Sequence, residues 1–342
     1  MVSKIYKMPL GKLMEEYPFT IDLLSGLRLE NLDMQLTLPK AMEDIPEEYL
    51  EDFGFDRAGF LEHFSTFMEE VKQESGARGK ITQLCVIGGR DKYGREENTA
   101  FTMTAGEIVS VVGPTGSGKS RLLGDIECLA QGDTPTGRKV LVNGTLPDDA
   151  VRFDTGSRLI AQLSQNMNFV MDISVGEFLE IHAQSRMARD SGKIAREIFD
   201  CANELAGERF CMDTTVTQLS GGQSRALMIA DTALLSDSPI VLIDEIENAG
   251  IDRRKAIDLL SRQDKMILMS THDPVLAMMA DKRIIIKDGG MRDIIQSSGS
   301  ERKNLKFLEI VDAYMMNLRN RLRRGDTLDM DLKKEFERLT DI

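Results

Sequence analysis

The stretch IVSVVGPTGSGKS, residues 108–120, decides the fold. Its first part, Ile108–Val112, is short, apolar and rich in β-branched residues, which predicts a buried strand. The remainder, Gly113–Ser120, matches the phosphate-binding pattern G-x-x-x-x-G-K-[ST]. Its glycines allow backbone N–H groups to turn toward phosphates, and the helix that follows adds the positive end of its dipole. The stretch therefore predicts an α/β fold with a nucleotide site at the end of a strand.

Each position of this loop has a chemical role in the predicted site. Lys119 is placed to reach the β- and γ-phosphates, and the Ser120 hydroxyl can ligate Mg²⁺. A chance glycine-rich turn is the competing interpretation, but the strand before the loop and the helix after it favour phosphate binding. The candidate nucleotide-binding residues are Gly113, Pro114, Thr115, Gly116, Ser117, Gly118, Lys119, Ser120 and Arg121.

A second predicted strand ends in two carboxylates. The run Ile240–Ile243 is apolar, and Asp244 and Glu245 follow it directly. The pattern is typical of a Walker-B strand, in which Asp244 helps to hold Mg²⁺ and Glu245 faces the attacking water as general base. A strand that ends in a solvated acidic turn gives the same pattern, so this motif alone leaves both interpretations open.

The segment between these two motifs indicates a family. The sequence Leu219-Ser220-Gly221-Gly222-Gln223 resembles the signature motif of ATP-binding-cassette (ABC) ATPases. In physical terms, a serine and two glycines before a helix form an anion-binding helix N-terminus. The resemblance implies an ABC-type P-loop NTPase cassette at residues 81–298, with a RecA-like core and a helical signature subdomain. It also implies that the signature completes the ATP site of the opposite protomer, so that two cassettes close around two ATP molecules and hydrolyse them.

Two further site residues follow from the same resemblance. Gln165 precedes Ser174–Glu177 as the Q-loop glutamine of the family does, which implies contacts to Mg²⁺ and the attacking water; Gln162 competes for this role. His272 follows the strand-like run Met266–Met269 and resembles the switch histidine that contacts the γ-phosphate. The predicted catalytic residues are Glu245, His272 and Gln165, and the predicted magnesium ligands are Ser120, Gln165 and Asp244.

The chain departs from the usual family pattern at three places. Common transporter cassettes continue Walker B as Asp-Glu-Pro-Thr, whereas here the proline is missing and one residue is extra, which leaves Asp252 as a D-loop candidate of uncertain register. After the signature, the usual Gln-Arg-Val is replaced by 225–227, Arg-Ala-Leu. Tyr93 lies nearest the distance expected of an adenine-stacking aromatic, and a role as an exposed turn tyrosine beside Gly94 is equally open.

Residues 1–74 have a separate helical pattern. Two predicted helical faces consist of Leu10, Leu13, Met14 and Tyr17, and of Leu61, Phe64, Met68 and Val71. Pro18 is expected to end the first helix, and Asp56 is expected to cap the second. The region carries a net charge of −9. We therefore expect a small acidic helical domain.

This region also has a weaker resemblance of its own. The pairs Leu10-Gly11, Tyr17-Pro18 and Gly26-Leu27 resemble small helical domains of unknown function that occur beside bacterial redox and iron-centre proteins. Those domains often carry cysteines after the Gly-Leu pair, whereas residues 28–32 contain none. The interpretation that this leaves is an acidic docking module.

The remaining boundaries are a polar linker and a C-terminal extension. Residues 75–80 read as a linker. Residues 299–342 are expected to be helical, with one helix over 301–324 whose last turns carry arginines and which Gly325 can cap.

Composition and charge argue against several classes of function and location. The net charge of −13 argues against a nucleic-acid partner, because phosphate binding depends on Lys and Arg. No apolar run approaches the roughly 18 to 20 residues of a membrane span, and the N-terminus has no secretory pattern. We therefore expect a cytoplasmic protein, or one that is peripheral to the inner face of a membrane if it is a transporter subunit. The four cysteines show no CxxC spacing and predict no zinc site.

Three functions share the predicted ATPase. The interpretation that the sequence favours is a stand-alone cassette that acts on a soluble protein partner through residues 1–74. The alternative is the ATP-binding subunit of a membrane transporter. The third, a DNA-maintenance ATPase, is disfavoured by the acidic chain and the compact spacing of the motifs.

Overall fold

In the computed structural model, the described residues are 5–17, 19–29, 32–76, 80–153, 159–164, 169–186, 188, 190–249, 251–262 and 264–340. The chain divides by its packing into two units. One comprises Met1–Lys80 with Gly176–Arg196, and the other comprises Ile81–Val175 with Glu197–Ile342. The division predicted from the sequence keeps the stretch 176–196 in the cassette, and the predicted domain boundaries stay predictions.

The N-terminal region is helical, as expected. Its helices are α1 (Leu10–Glu16), α2 (Phe19–Gly26), α3 (Leu38–Glu43), α4 (Glu47–Glu51) and α5 (Arg57–Gly76). Among the described residues, its hydrophobic core runs from Ile5 to Met68, with Leu13, Phe60 and Phe64 fully buried. The expected cap of α5 is present, because the Gly59 amide donates to Asp56 Oδ1 at 2.6 Å. Pro18 and the Val71 side chain lie outside the described parts of the chain.

The second unit is built on a six-stranded sheet. Its strands, in the order of the sheet, are β5 (Ile160–Leu163), β6 (Ile240–Asp244), β7 (Met266–Ser270), β3 (Ile108–Val112), β8 (Lys282–Lys287) and β9 (Gly290–Gln296). All neighbours are parallel except β8 and β9, which form an antiparallel hairpin. The predicted strands at 108, 240 and 266 are confirmed, and the fold is α/β.

A smaller antiparallel sheet belongs to the same unit. It has the order β2 (Ala100–Thr104), β1 (Gln83–Ile87), β4 (Lys139–Val142). Arg138, fully buried at the start of β4, donates to Glu97 Oε2 at 3.1 Å and to Asp125 Oδ2 at 2.9 Å. Burial of this guanidinium is tolerated because two carboxylates pair with it.

Helices connect these strands. They are α6 (Lys119–Glu127), α7 (Asp149–Arg152), α8 (Val175–Ser185), α9 (Ser191–Leu205), α10 (Gly221–Leu234), α11 (Arg253–Ser261) and α12 (Pro274–Met279). Leu122, Leu123 and Ile126 of α6 are buried in one hydrophobic core with both sheets. The helix that follows the phosphate loop is therefore fixed to the strands that carry the candidate site.

The sheet register brings three strand ends together. Val111 of β3 and Asp244 of β6 both pair with Ser270 of β7. Because these strands are parallel, the loops that follow them open at one edge of the sheet. Lys119 and Ser120 begin α6 directly after the loop from β3, Asp244 ends β6, and His272 lies in the loop after β7.

The C-terminal extension contains the expected long helix. Helix α13 (Gly299–Arg323) begins at a capping box formed by Ser298 and Glu301. A second helix, α14 (Leu332–Thr340), follows, and Phe336 packs edge-on against Tyr314 with ring centroids 5.3 Å apart. No helix among the described residues is long and apolar enough to cross a membrane.

Candidate functional site

The phosphate loop connects β3 to α6 in a conformation that depends on glycine. Gly118 has φ +105°, and a Cβ atom at this position would lie 2.9 Å from Gly289 Cα. The Lys119 side chain is 7% exposed, and its Nζ donates to the carbonyls of Gly113 at 2.9 Å and Pro114 at 3.2 Å. The ammonium of Lys119, which is predicted to contact the phosphates, thus lies against the carbonyls of the loop. Four other predicted nucleotide-binding residues are exposed: Thr115, Gly116, Ser120 and Arg121.

The two predicted magnesium residues that the structure describes meet beside this loop. Ser120 Oγ donates to Asp244 Oδ2 at 3.2 Å, although the two residues are 124 positions apart in the chain. Ser270 Oγ at the end of β7 donates to the other oxygen, Oδ1. Both carboxylate oxygens of Asp244 are therefore oriented, one of them toward the first turn of α6.

Glu245 has a constrained backbone. Its φ is +50°, a left-handed conformation that non-glycine residues seldom adopt and that is frequent at functional positions. Its amide donates to the Ser270 carbonyl at 3.1 Å, and its carbonyl accepts from Arg225 Nη1 at 3.1 Å. This turn redirects the chain immediately after β6, at the position where the predicted general base is needed.

Arg225 is a site residue that the motif analysis did not assign. It is 6% exposed, lies on α10 and also donates from Nη2 to the Ser164 carbonyl at 3.1 Å. Its guanidinium therefore joins the residue before the predicted Q-loop glutamine to the residue after Walker B. Burial lowers the pKa of Arg225, while the negative charges of Glu247, Asp244 and Glu245 act in the opposite direction.

Glu247 is a second unassigned residue, and it contacts the predicted switch histidine. Its Oε1 lies 3.0 Å from His272 Nδ1 and accepts from the His272 amide at 2.8 Å and from Thr271 Oγ1 at 2.9 Å. Its side chain is 5% exposed, whereas that of His272 is 60% exposed. The only sequence signal for Glu247 was the departure from Asp-Glu-Pro-Thr, which was noted without a role.

The signature residues form the start of α10. Ser220 is the N-cap: its hydroxyl accepts from the Gln223 amide at 3.3 Å, and its own amide donates to Gln223 Oε1 at 2.9 Å. Leu219 is buried, Gly222 is half-buried, and Ser220 and Gly221 are exposed. A Cβ on Gly221 would meet no atom within 4 Å. The open N-terminus of α10 suits an anion presented from outside this chain.

The Q-loop and D-loop predictions have different outcomes. Gln165 lies outside the described residues. Its competitor Gln162 places its amide within 2.6 Å of the Glu127 carboxylate, at the end of α6 opposite to the phosphate loop. Asp252 is the N-cap of α11 and accepts from the Lys255 amide at 3.1 Å, so its local role is helix capping.

Tyr93 lies on an exposed loop tied to the phosphate loop. Its side chain is 60% exposed, and Lys92 and Arg95 each lie 5.0 Å from the ring centroid. The Lys92 amide donates to the Asp288 carbonyl at 2.9 Å, and the next residue, Gly289, donates to the Ser117 carbonyl at 2.7 Å. The β8–β9 turn thus connects the tyrosine loop to the phosphate loop, and adenine stacking by Tyr93 stays a prediction.

The comparisons with known proteins agree with the motifs. A family model described as ABC transporter matches residues 97–248. The chain is 51% identical over 251 residues to an uncharacterized ABC transporter ATP-binding protein of Methanocaldococcus jannaschii, and the alignment covers 73% of this chain and 95% of that protein. It is 27% identical over 238 residues to the ABC transporter ATP-binding protein YxdL of Bacillus subtilis, covering 67% of this chain and 89% of that protein.

A solved structure was also found. It is a dimeric structure of a bacterial ABC transporter cassette, 26% identical, with a TM-score of 0.48, and the match covers 63% of this chain and 99% of that one.

Proposed function

Because the chain belongs to the ABC transporter family of ATP-binding proteins, we propose that it is the ATP-hydrolysing subunit of a membrane transporter and works as a pair of cassettes. The observation that carries the ATPase assignment is the meeting of Ser120 and Asp244 beside the phosphate loop, with Oγ and Oδ2 3.2 Å apart. Lys119 directly precedes Ser120 in the sequence, and Glu245 directly follows Asp244.

The residues present fit Mg²⁺. This ion takes oxygen ligands and is commonly held by one or two carboxylates together with substrate phosphates. The Ser120 hydroxyl and the Asp244 carboxylate are such donors, and the described residues hold no cluster of three or more His, Cys, Asp or Glu side chains that could form an all-protein site. When bound with ATP, the ion supplies positive charge to the phosphate oxygens. Gln165 would be the third ligand.

The chain's own residues supply the rest of the chemistry. Lys119 Nζ exchanges the loop carbonyls that it now contacts for β- and γ-phosphate oxygens. Glu245 accepts a proton from the attacking water while the water oxygen bonds to the γ-phosphorus. The bond between that phosphorus and the β–γ bridging oxygen breaks, which releases ADP. His272, exposed beside this edge, contacts the γ-phosphate.

The pairing of two cassettes has a direct test. The exposed Ser220 and Gly221 lie at an open helix N-terminus, which suits the γ-phosphate of an ATP bound to a second copy. A ligand that binds only the closed pair shifts association by mass action. Sedimentation of Glu245→Gln should show dimers with Mg-ATP and monomers with ADP. Dimers with Mg-ATP that persist in a Ser220→Glu variant would contradict signature-mediated closure.

Of the two partner classes proposed from the sequence, the relatives support the membrane transporter. Those reported above are named as transporter ATP-binding proteins, and the soluble-partner interpretation has no support among them. The family resemblance implies that a transporter's coupling helix would dock on the subdomain between Gln165 and the signature. In that stretch Val170 is 93% exposed and Met171 is 48% exposed, and exposed apolar side chains favour a protein contact.

The transporter proposal is tested by capture from detergent-solubilised membranes. Full-length protein should retain an integral membrane protein, and Val170→Asp should lose it while hydrolysing ATP normally. Leu146→Asp is the control, because Leu146 is an exposed apolar residue outside this stretch, at 46%, which is close to the 48% of Met171. Capture of a soluble protein alone would instead support the soluble-partner interpretation.

Residues 1–74 retain the docking role proposed for them. They form their own core and carry a charge of −9, which speeds encounter with a basic partner surface and makes the encounter salt-sensitive. A chain that begins at Lys80 should hydrolyse ATP at the basal rate but lose the salt-sensitive part of partner binding. Equal capture by both chains at low and high salt would contradict the docking role.

A further inference from the structure

Glu247 occupies a position that links the end of β7 to the 3₁₀ turn Ile246–Ala249. Its Oε1 accepts hydrogen bonds from the Thr271 hydroxyl and the His272 amide, and it also lies against the His272 ring nitrogen Nδ1. All three distances are within 3.0 Å. One carboxylate oxygen therefore fixes both the backbone and the side chain of the switch histidine.

The environment of Glu247 is unusual for a carboxylate. The side chain is 5% exposed, and Oε2 is buried without a hydrogen-bond partner among the described residues. A buried carboxylate is costly unless positive charge or hydrogen bonds compensate it. The buried guanidinium of Arg225, whose Nη1 donates to the Glu245 carbonyl, lies in the same charged group.

We propose that Glu247 is a positioning residue for ATP hydrolysis, which acts by fixing the His272 imidazole through Nδ1 so that Nε2 is available to the γ-phosphate. A carboxylate that accepts from one ring nitrogen sets both the tautomer and the orientation of an imidazole, and this leaves the other nitrogen for chemistry. The inference rests on the proposed hydrolysis, and it adds a residue that does not itself touch the nucleotide.

Three substitutions separate the hydrogen bond from the charge. Glu247→Gln keeps an oxygen at the Oε1 position without the charge, Glu247→Asp keeps the charge but withdraws the oxygen by one methylene, and Glu247→Ala removes both. We expect kcat for ATP to fall at least about 10-fold in Glu247→Ala and Glu247→Asp, with Glu247→Gln within about threefold of wild type. Because Glu247 does not touch the nucleotide, KM for ATP should change less than about twofold in all three.

A double-mutant cycle with His272→Ala tests whether Glu247 acts through the histidine. In the His272→Ala background, Glu247→Ala should cause no further loss of kcat, because residues that act as a unit are not additive. Losses that multiply, or a Glu247→Asp enzyme that matches wild type while Glu247→Gln does not, would overturn the proposal.

Two control measurements, binding of a fluorescent ATP analogue and the melting temperature, would establish that each variant is folded. The same data set distinguishes failure of the proposed function. If wild-type protein binds Mg-ATP without hydrolysing it, the ATPase assignment fails; if wild-type protein hydrolyses ATP and Glu247→Ala does so equally, only the role of Glu247 fails.

Discussion

The phosphate loop and the switch segment lie at the same edge of one sheet, but they are built from different chemistry. We define the switch segment as Glu245–Glu247 with Ser270–Asp273. The phosphate loop relies on backbone geometry, such as the left-handed Gly118 and the carbonyls that hold Lys119. The switch segment relies on side-chain charges, because Glu247 holds His272, Ser270 holds Asp244 and Arg225 holds the Glu245 carbonyl. We expect changes in the first to impair ATP binding and changes in the second to impair turnover.

The largest effect on ATP binding should follow from Lys119→Ala. Loss of an ammonium that contacts phosphate oxygens removes hydrogen bonds to charged groups worth about 1.5 to 3 kcal/mol each, so ATP affinity should fall at least about 10-fold. Titration with a fluorescent ATP analogue measures this loss. Lys334→Ala, at an exposed lysine of α14, is the control and should bind as wild type. Unchanged affinity of Lys119→Ala would remove the distinction between the two regions.

Arg225→Gln should reduce turnover at almost constant affinity. Glutamine is the residue that the usual family pattern has after the signature, but it is too short to donate to both the Glu245 and Ser164 carbonyls. We expect kcat to fall by roughly 10-fold, as for loss of a positioning contact. Arg225→Lys should recover only part of the rate, because an ammonium does not reproduce the two-armed geometry of a guanidinium. Full activity of Arg225→Gln would show that this bridge does not position the turn.

The smallest effect concerns the attachment of the switch segment to helix α13. Arg253 of α11 pairs with Asp273, which follows the switch histidine, and with Asp312 of α13; all three side chains are at most one-third exposed. Arg253→Met should lower the free energy of unfolding by about 1 to 2 kcal/mol and kcat by about twofold or less. Its neighbour Arg254 pairs with Glu309 at 2.7 Å but is 62% exposed.

Urea unfolding of both variants provides the matched comparison. Arg254→Met should lower the free energy of unfolding by at most about 1 kcal/mol, because solvent screens an exposed pair. Equal losses for the two variants would mean that burial does not strengthen the Arg253 bridge.

The same contrast explains what the sequence could predict. The strand Ile108–Val112, the phosphate loop and Asp244 were predictable because strand, turn and helix lie in consecutive residues with a fixed spacing. Ser120 and Asp244 were each predicted to help hold Mg²⁺ from the phosphate-loop and Walker-B patterns, and the structure places their side chains 3.2 Å apart. A site that relies on backbone geometry, such as the phosphate loop, can therefore be predicted largely from a local sequence pattern.

The switch segment could be predicted only in part. Glu247 and His272 are 25 positions apart in the chain, and Arg225 contacts the Glu245 carbonyl from helix α10. The contact between Glu247 and His272 depends on the parallel register of β6 and β7, which places the residues after these two strands side by side. Neither the spacing nor the composition of one sequence reports such a contact. Glu247 was visible as a departure from Asp-Glu-Pro-Thr, but its contact with His272 could be found only from the fold.

The most direct test of the account compares binding and turnover in Glu245→Gln. This isosteric change removes the proposed proton acceptor but leaves the phosphate loop, Ser120 and Asp244 unaltered. The account predicts wild-type affinity for Mg-ATP, measured by titration, together with a phosphate-release rate at least about 10²-fold lower, the contribution expected of a general base. Phosphate release at the wild-type rate would contradict the assignment of Glu245 and the division of labour between the two regions.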